Sequence, residues 1–185
     1  MEKKRKRLLY FVKLFHYGQR RKYTGEPYHN HCINVANMAN AYSITSTAYE
    51  IGLCHDLFED TLCTPNMLSI VLFICGYSRD KRKRIVLGTK QLTDVYTHKK
   101  YSNMNRAARK RREALRLSFC DYEVQTIKCC DIVDNTGSII EHDHKFGIAY
   151  LAEKRFLLMI MNKGEKKAYE LAIMCSEQPD WLKIP

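Results

Sequence analysis

Apolar residues recur at intervals of three and four along almost the whole chain, and no stretch alternates apolar with polar residues for long enough to make a sheet strand. That period confines the chain to an all-α architecture in which every helix buries one stripe against its neighbours. Leu8, Phe11, Val12 and Phe15 mark one face of a first helix that ends near Gly18, and a polar loop carries Gln19 through Pro27. A second helix is predicted from about His29 through Val35, Met38, Ala39 and Tyr42, and a third from Ala48 to about Phe58. Thr64 followed by Pro65 is a helix start, and Gly76 is a stop. A short helix at Ile85, Val86 and Leu87 should yield to a loop from Gly88 to Ser102, which leads into a basic helix from about Asn103 to Leu117. Asp121 caps a helix continuing to Asp134, and a polar turn follows Gly137. Asp143 caps a long helix through Ile160, and a last helix covers about Glu165 to Cys175.

With 185 residues the chain is read as a single domain, residues 1–185. Hydrophobic residues make up 45% and only four prolines and eight glycines interrupt them, which excludes extensive disorder. Eight cysteines occur without a signal peptide or a CxxC spacing, and only Cys129 and Cys130 are close together, so reduced, mostly buried thiols are expected rather than a disulfide framework. The longest apolar run, Met67 to Cys75, is too short to cross a bilayer, and a cytoplasmic protein is expected, with a basic amino terminus able to touch a membrane surface. Thirty-one Lys and Arg against twenty Asp and Glu leave a net charge of +11, which favours polyanionic partners: nucleic acid, acidic lipid or a phosphate-rich small molecule.

The chemistry is concentrated in His55-Asp56-Leu57-Phe58-Glu59-Asp60, four polar groups in an otherwise apolar segment. Burying them requires compensation, and on a helix the spacing of four between His55 and Glu59 and between Asp56 and Asp60 turns them toward one cavity. His31 on the second helix and Asp131 on a later one, with Asn135 one turn on, complete a candidate set. Two imidazoles and two carboxylates form a mixed N and O site suited to manganese, iron or zinc.

The segments Gly25-Glu26-Pro27-Tyr28-His29-Asn30-His31, Leu53 to Thr61 around HDxxED, and Lys128-Cys129-Cys130-Asp131 with Asn135 together resemble the hydrolase domain of the Rel/SpoT family and the small alarmone hydrolases, over about residues 15–151. The resemblance implies an HD-domain helical bundle with a metal site at its centre. His31, His55, Asp56 and Asp131 would hold a divalent cation, Mn²⁺ first among them, with other divalent cations as alternatives. It further implies that a water activated by the cation attacks the 3′-pyrophosphate of (p)ppGpp or (p)ppApp, giving the 5′-nucleotide and pyrophosphate. In that scheme Glu59 orients the water or moves its proton, Asp60 serves the leaving 3′-oxygen, and Asn135 holds substrate or water near Asp131. Arg21 and Lys22 match the basic pair that precedes GEPY and would meet the nucleotide phosphates, and Ser138 falls where the family has a small hydroxyl residue near the substrate. Asn105, Arg106, Arg109 and Lys110 resemble a basic helix of small HD phosphohydrolases.

Cys32 stands where the family has proline, and Asp134 replaces a bulky apolar residue, so a different nucleobase pocket is expected. The chain is read as hydrolytic only. The alternatives are an HD nucleotidase or phosphodiesterase acting on another nucleotide and, from another class, a basic nucleic-acid-binding module, for which Glu59 and Asp60 would have no use.

Overall fold

The computed structural model describes residues 2–177. Among them are ten α-helices and, in place of any sheet, one isolated antiparallel bridge between Arg20 and Pro27, as the three-to-four period requires. The chain divides into two compact units, Met1–Asp94 and Val95–Pro185.

The first unit holds α1 (Glu2–Phe15), α2 (His29–Tyr42), α3 (Ala48–Cys54), α4 (Leu57–Asp60), α5 (Pro65–Ile74) and α6 (Arg79–Leu92). Its core is built around the α2–α3 pair: Cys32, Val35, Ala36 and Ala39 of α2 meet Ile51, Leu53 and Cys54 of α3, all fully buried. Leu8 and Val12 anchor α1, and Arg5 reaches across to the buried Glu50 of α3, whose carboxylate also accepts from the Tyr77 hydroxyl. Thr64 caps α5 by accepting from the Met67 N–H, with Pro65 at the first helical position.

Two boundaries differ from expectation here. The predicted third helix is two, because the chain turns at His55 and Asp56, where the first is the C-cap of α3 and the second the N-cap of α4. The predicted loop beginning at Gly88 is instead helix as far as Leu92. Gly88 is a contact residue, not a stop: a Cβ there would stand 2.7 Å from Ile51 Cδ1, so the missing side chain lets α6 lie against α3.

The second unit holds α7 (Arg106–Ser118), α8 (Tyr122–His142), α9 (His144–Ile160) and α10 (Lys166–Ser176). Asn105, Asp121, Asp143 and Glu165 cap the four helices with side-chain oxygens. α8 is longer than its sequence suggests, running through Gly137 without a turn, because Thr136 and Ile139 continue its buried stripe. A glycine inside a helix costs about 1 kcal/mol, too little to end a packed helix. Buried Gln125 ties the unit together: its amide donates to the carbonyls of Leu117, Ser118 and Cys120 and accepts from the Lys163 N–H.

Glu113 of α7 plays a comparable part. Buried in the same unit, it accepts from the N–H groups of Val95 and Tyr96 at 3.0 and 2.9 Å and from Arg116 Nε. Removing the carboxylate strands both donors, so Glu113→Ala should lower stability by about 2–3 kcal/mol, read as a reduced urea midpoint with unchanged slope. Glu113→Gln, which keeps one acceptor oxygen, should lose less.

All eight cysteines are free and seven are buried, as expected of reduced core thiols. Burial pushes the Cys63 thiol up to about 11 and Cys129 to about 12, so neither is a ready thiolate. No helix among the described residues is long and apolar enough to cross a membrane.

Candidate metal centre

The site grows from the close approach of α2 and α3. A Cβ on Gly52 would meet the Ala36 backbone at 3.0 and 3.2 Å and the Val35 carbonyl carbon at 3.4 Å, so only glycine permits the two helices to lie this near. His31 near the start of α2 and His55 at the end of α3 are thereby brought face to face, both almost fully buried, with ring centroids 5.0 Å apart.

Their ring nitrogens are ordered by chemistry. His55 Nδ1 lies 2.7 Å from the Gly52 carbonyl, which can only accept, so Nδ1 carries a proton, and in the neutral ring Nε2 is then the nitrogen with a lone pair to offer a cation. That lone pair is directed to a common point with His31 Nε2 at 3.2 Å and Asp56 Oδ2 at 3.0 Å, while His31 Nε2 and Asp56 Oδ2 are 3.4 Å apart. His31, His55 and Asp56 form a group able to hold a metal ion, each offering one ligand atom within 4.8 Å of the others. Ligands about 2.1 Å from a cation and at right angles to one another stand about 3 Å apart, so these separations fit a divalent ion. The donor set of two imidazoles and a carboxylate fits it as well. Burial would raise the Asp56 carboxyl, but the adjacent His55 and His31 outweigh it and hold the group far below the usual carboxylate range.

Asp56 is joined to Asp60 through a residue to which the sequence alone assigns no role. The Tyr28 hydroxyl lies 2.8 Å from Asp56 Oδ2 and 2.7 Å from Asp60 Oδ2. A phenol has one proton, so two short contacts to carboxylate oxygens call for a second proton on one of the acids. Asp60 is the place for it, because burial and the Asp56 charge both raise its pKa. Burial also drives the Tyr28 phenol far upward, keeping it a donor. Behind Tyr28 stands His16, stacked on its ring with centroids 5.1 Å apart. The Gln19 amide accepts from His16 Nδ1 at 2.7 Å and donates to the Asp60 carbonyl at 2.6 Å, which fixes the amide orientation. His16 and Gln19 carry no signal in the helical period. Only their place beside GEPYxxH could have drawn notice.

The remaining candidates are placed as follows. Glu59, exposed on α4, accepts from the Asp94 N–H at 3.1 Å and so braces the segment after α6. Arg21 and Lys22 sit on the tight excursion between Gln19 and Tyr28, where Gly25 adopts a left-handed φ of +70° and the Arg21 N–H bonds the Glu26 carbonyl. Lys22 leans over the Tyr23 ring, 4.6 Å from its centroid. Cys32 is fully buried, with its sulfur 3.7 Å from His16 Nε2.

Asp131, Asn135 and Ser138 belong to the second unit, on α8. Asp131 is buried and accepts from Lys128 Nζ at 2.8 Å and Asn135 Nδ2 at 2.7 Å, and Ser138 Oγ donates to the Asn135 carbonyl at 3.2 Å. The metal-capable group thus draws its donors from the first unit, while Asp131, the fourth expected ligand, is bonded within its own helix by a lysine and an amide. The basic helix α7 is partly engaged, with Arg106 forked onto Glu153 and Arg112 over the Tyr96 ring.

The sequence matches no protein-family model and no curated protein. Among solved structures, one described as a metazoan ortholog of SpoT that hydrolyzes ppGpp and plays a role in starvation responses superposes with a TM-score of 0.75, covering 93% of this chain and 93% of that chain at 18% identity. This chain is therefore an all-α protein with the HD-type helical fold of that SpoT ortholog.

Proposed function

We propose that this protein is a divalent-metal-dependent hydrolase that removes the 3′-pyrophosphate from alarmone nucleotides, (p)ppGpp or (p)ppApp, leaving the 5′-nucleotide and pyrophosphate. The observation that carries the reading is the His31, His55 and Asp56 group in a chain whose fold is that of a protein reported to hydrolyze ppGpp.

His31, His55, Asp56 and Asp131 would hold the cation; the donor set suits manganese, iron or zinc, and the resemblance to the alarmone hydrolases puts Mn²⁺ first. When bound, it supplies positive charge that polarises the phosphoryl oxygens and lowers the pKa of water toward neutrality. The protein's own groups do the rest. Asp60, protonated because burial and the neighbouring Asp56 charge raise its carboxyl, delivers a proton to the departing 3′-oxygen, and the Tyr28 hydroxyl between the two acids holds it in place. Glu59 orients the attacking water, Asn135 steadies substrate or water beside Asp131, and Ser138 lies one turn further along the same helix. Arg21 and Lys22 supply a planar fork and a mobile charge for a substrate that carries phosphates at both ends.

Incubating the Mn²⁺-loaded protein with ppGpp should release pyrophosphate. A folded, metal-loaded sample that releases none, or that yields orthophosphate or a cleaved diester from some other nucleotide, excludes this substrate class.

Tyr28→Phe isolates the proton relay. The ring and its stack on His16 remain while the bridge between Asp56 and Asp60 is lost, so kcat at saturating Mn²⁺ should fall by about 10²-fold, and Mn²⁺ affinity by about 10-fold because Asp56 loses one supporting hydrogen bond. Steady-state kinetics beside a metal titration separate the two effects.

A further inference from the structure

Helix α5 carries no charge, yet only half of it faces the core. Leu68, Val71 and Leu72 are buried, whereas Met67, Ile70, Phe73 and Ile74 are 41%, 59%, 65% and 56% exposed. Positions 67, 70 and 74 follow the three-to-four spacing and 73 borders them, so four large apolar side chains share one outward face. Leu62, just before the helix, is exposed at 92%. Contiguous apolar surface of this kind marks a docking face.

The two helices packed against α5 are strongly basic. α1 and α6 carry six Lys or Arg each, against one acid apiece, and Glu2 is already paired with Lys6 while Asp80 opens α6. Some of these cations are at the apolar face itself. Arg82 lies over the Phe73 ring, 5.1 Å from its centroid, and Lys4 donates to the carbonyl of Gly76 just beyond the helix. Arg7 is close enough for its charge to oppose the rise that burial imposes on the Cys75 thiol.

An apolar ridge flanked by cations is the pattern of an interfacial helix on an anionic membrane. A bilayer interface accepts protruding side chains without a matching groove, and its headgroups neutralise the cations alongside. A second copy of this chain would bring the same cations face to face.

We infer that the α5 face, Met67, Ile70, Phe73 and Ile74 with Lys4, Arg7 and Arg82 at its edge, docks the protein peripherally on anionic lipid bilayers. The inference is independent of the hydrolase reading, since none of these residues belongs to the metal site or the catalytic acids.

The test is co-sedimentation of the full chain with vesicles of phosphatidylcholine alone and with about 30% phosphatidylserine, at low and high salt. Binding should require phosphatidylserine and weaken with salt. It should fall at least about tenfold both in Ile70→Asn/Phe73→Ser and in Lys4→Gln/Arg82→Gln, all exposed or half-exposed sites whose fold is checked by circular dichroism. In Phe73→Trp/Trp181→Phe, which leaves a single tryptophan on the ridge, emission should shift to the blue on the anionic vesicles. The inference is overturned by equal binding to neutral vesicles, by full binding of Ile70→Asn/Phe73→Ser, or by an unshifted Trp emission. It is equally overturned if those substitutions dissolve a dimer of this chain or release an acidic polypeptide such as polyglutamate while vesicle binding stays unchanged.

Discussion

In His55→Ala, pyrophosphate release from ppGpp should fall by more than about 10²-fold, together with the loss of tight Mn²⁺ binding. Removing a group that merely supports a metal ligand typically costs 10- to 100-fold, and His55 is a candidate ligand itself. In the neutral ring the Nδ1 bond to Gly52 leaves Nε2 as the ligating nitrogen, and it lies within 3.2 Å of both other donors. The free-Mn²⁺ electron paramagnetic resonance signal reports binding directly, since it vanishes as the ion is taken up. Should the variant bind Mn²⁺ and turn over as the parent does, His31, His55 and Asp56 are not the metal site and the proposed chemistry falls.

A Gly52→Ala chain should be less stable by about 1–3 kcal/mol and should bind Mn²⁺ more weakly, although no ligand has been altered. The added methyl meets Ala36 Cα at 3.0 Å and Ala36 N at 3.2 Å, backbone atoms that cannot swing aside, so α2 and α3 must separate. Because His31 and His55 are carried by those helices, the separation opens their 3.2 Å approach. Gly137→Ala supplies the opposite sign: nothing lies within 4 Å of the new Cβ in the middle of α8, so a gain of about 0.5–1 kcal/mol is expected. Thermal unfolding of the two variants against the parent checks both, each kcal/mol corresponding to about 2–4 °C for a chain of this size. If Gly52→Ala melts and binds Mn²⁺ like the parent, the close approach of α2 and α3 does not govern the site.

The helical content was legible because periodicity and capping are local. Thr64-Pro65, Asp121 and Asp143 mark true helix starts, and the buried stripes of α1, α2 and α8 lie where the apolar spacing puts them. Donor types were legible too, since His31, His55 and Asp56 are polar groups inside apolar segments, and such groups need a partner. Two of the misplaced boundaries share one cause. Gly88 and Gly137 look like stops to a local rule, yet one is a seat for Ile51 and the other is simply carried by a helix whose neighbours stay buried.

What the sequence by itself determined, then, is a chain of helices with caps and the identity of the donors. Tertiary packing alone decided that α2 and α3 touch backbone to backbone at Gly52, that the chain turns at His55-Asp56 so that both side chains meet His31, and that Tyr28 links Asp56 to Asp60. The reason is one of range. Helix propensity and capping act over four residues, whereas the Tyr28 hydroxyl contacts acids 28 and 32 positions away, a relation that exists only once the intervening helices have packed.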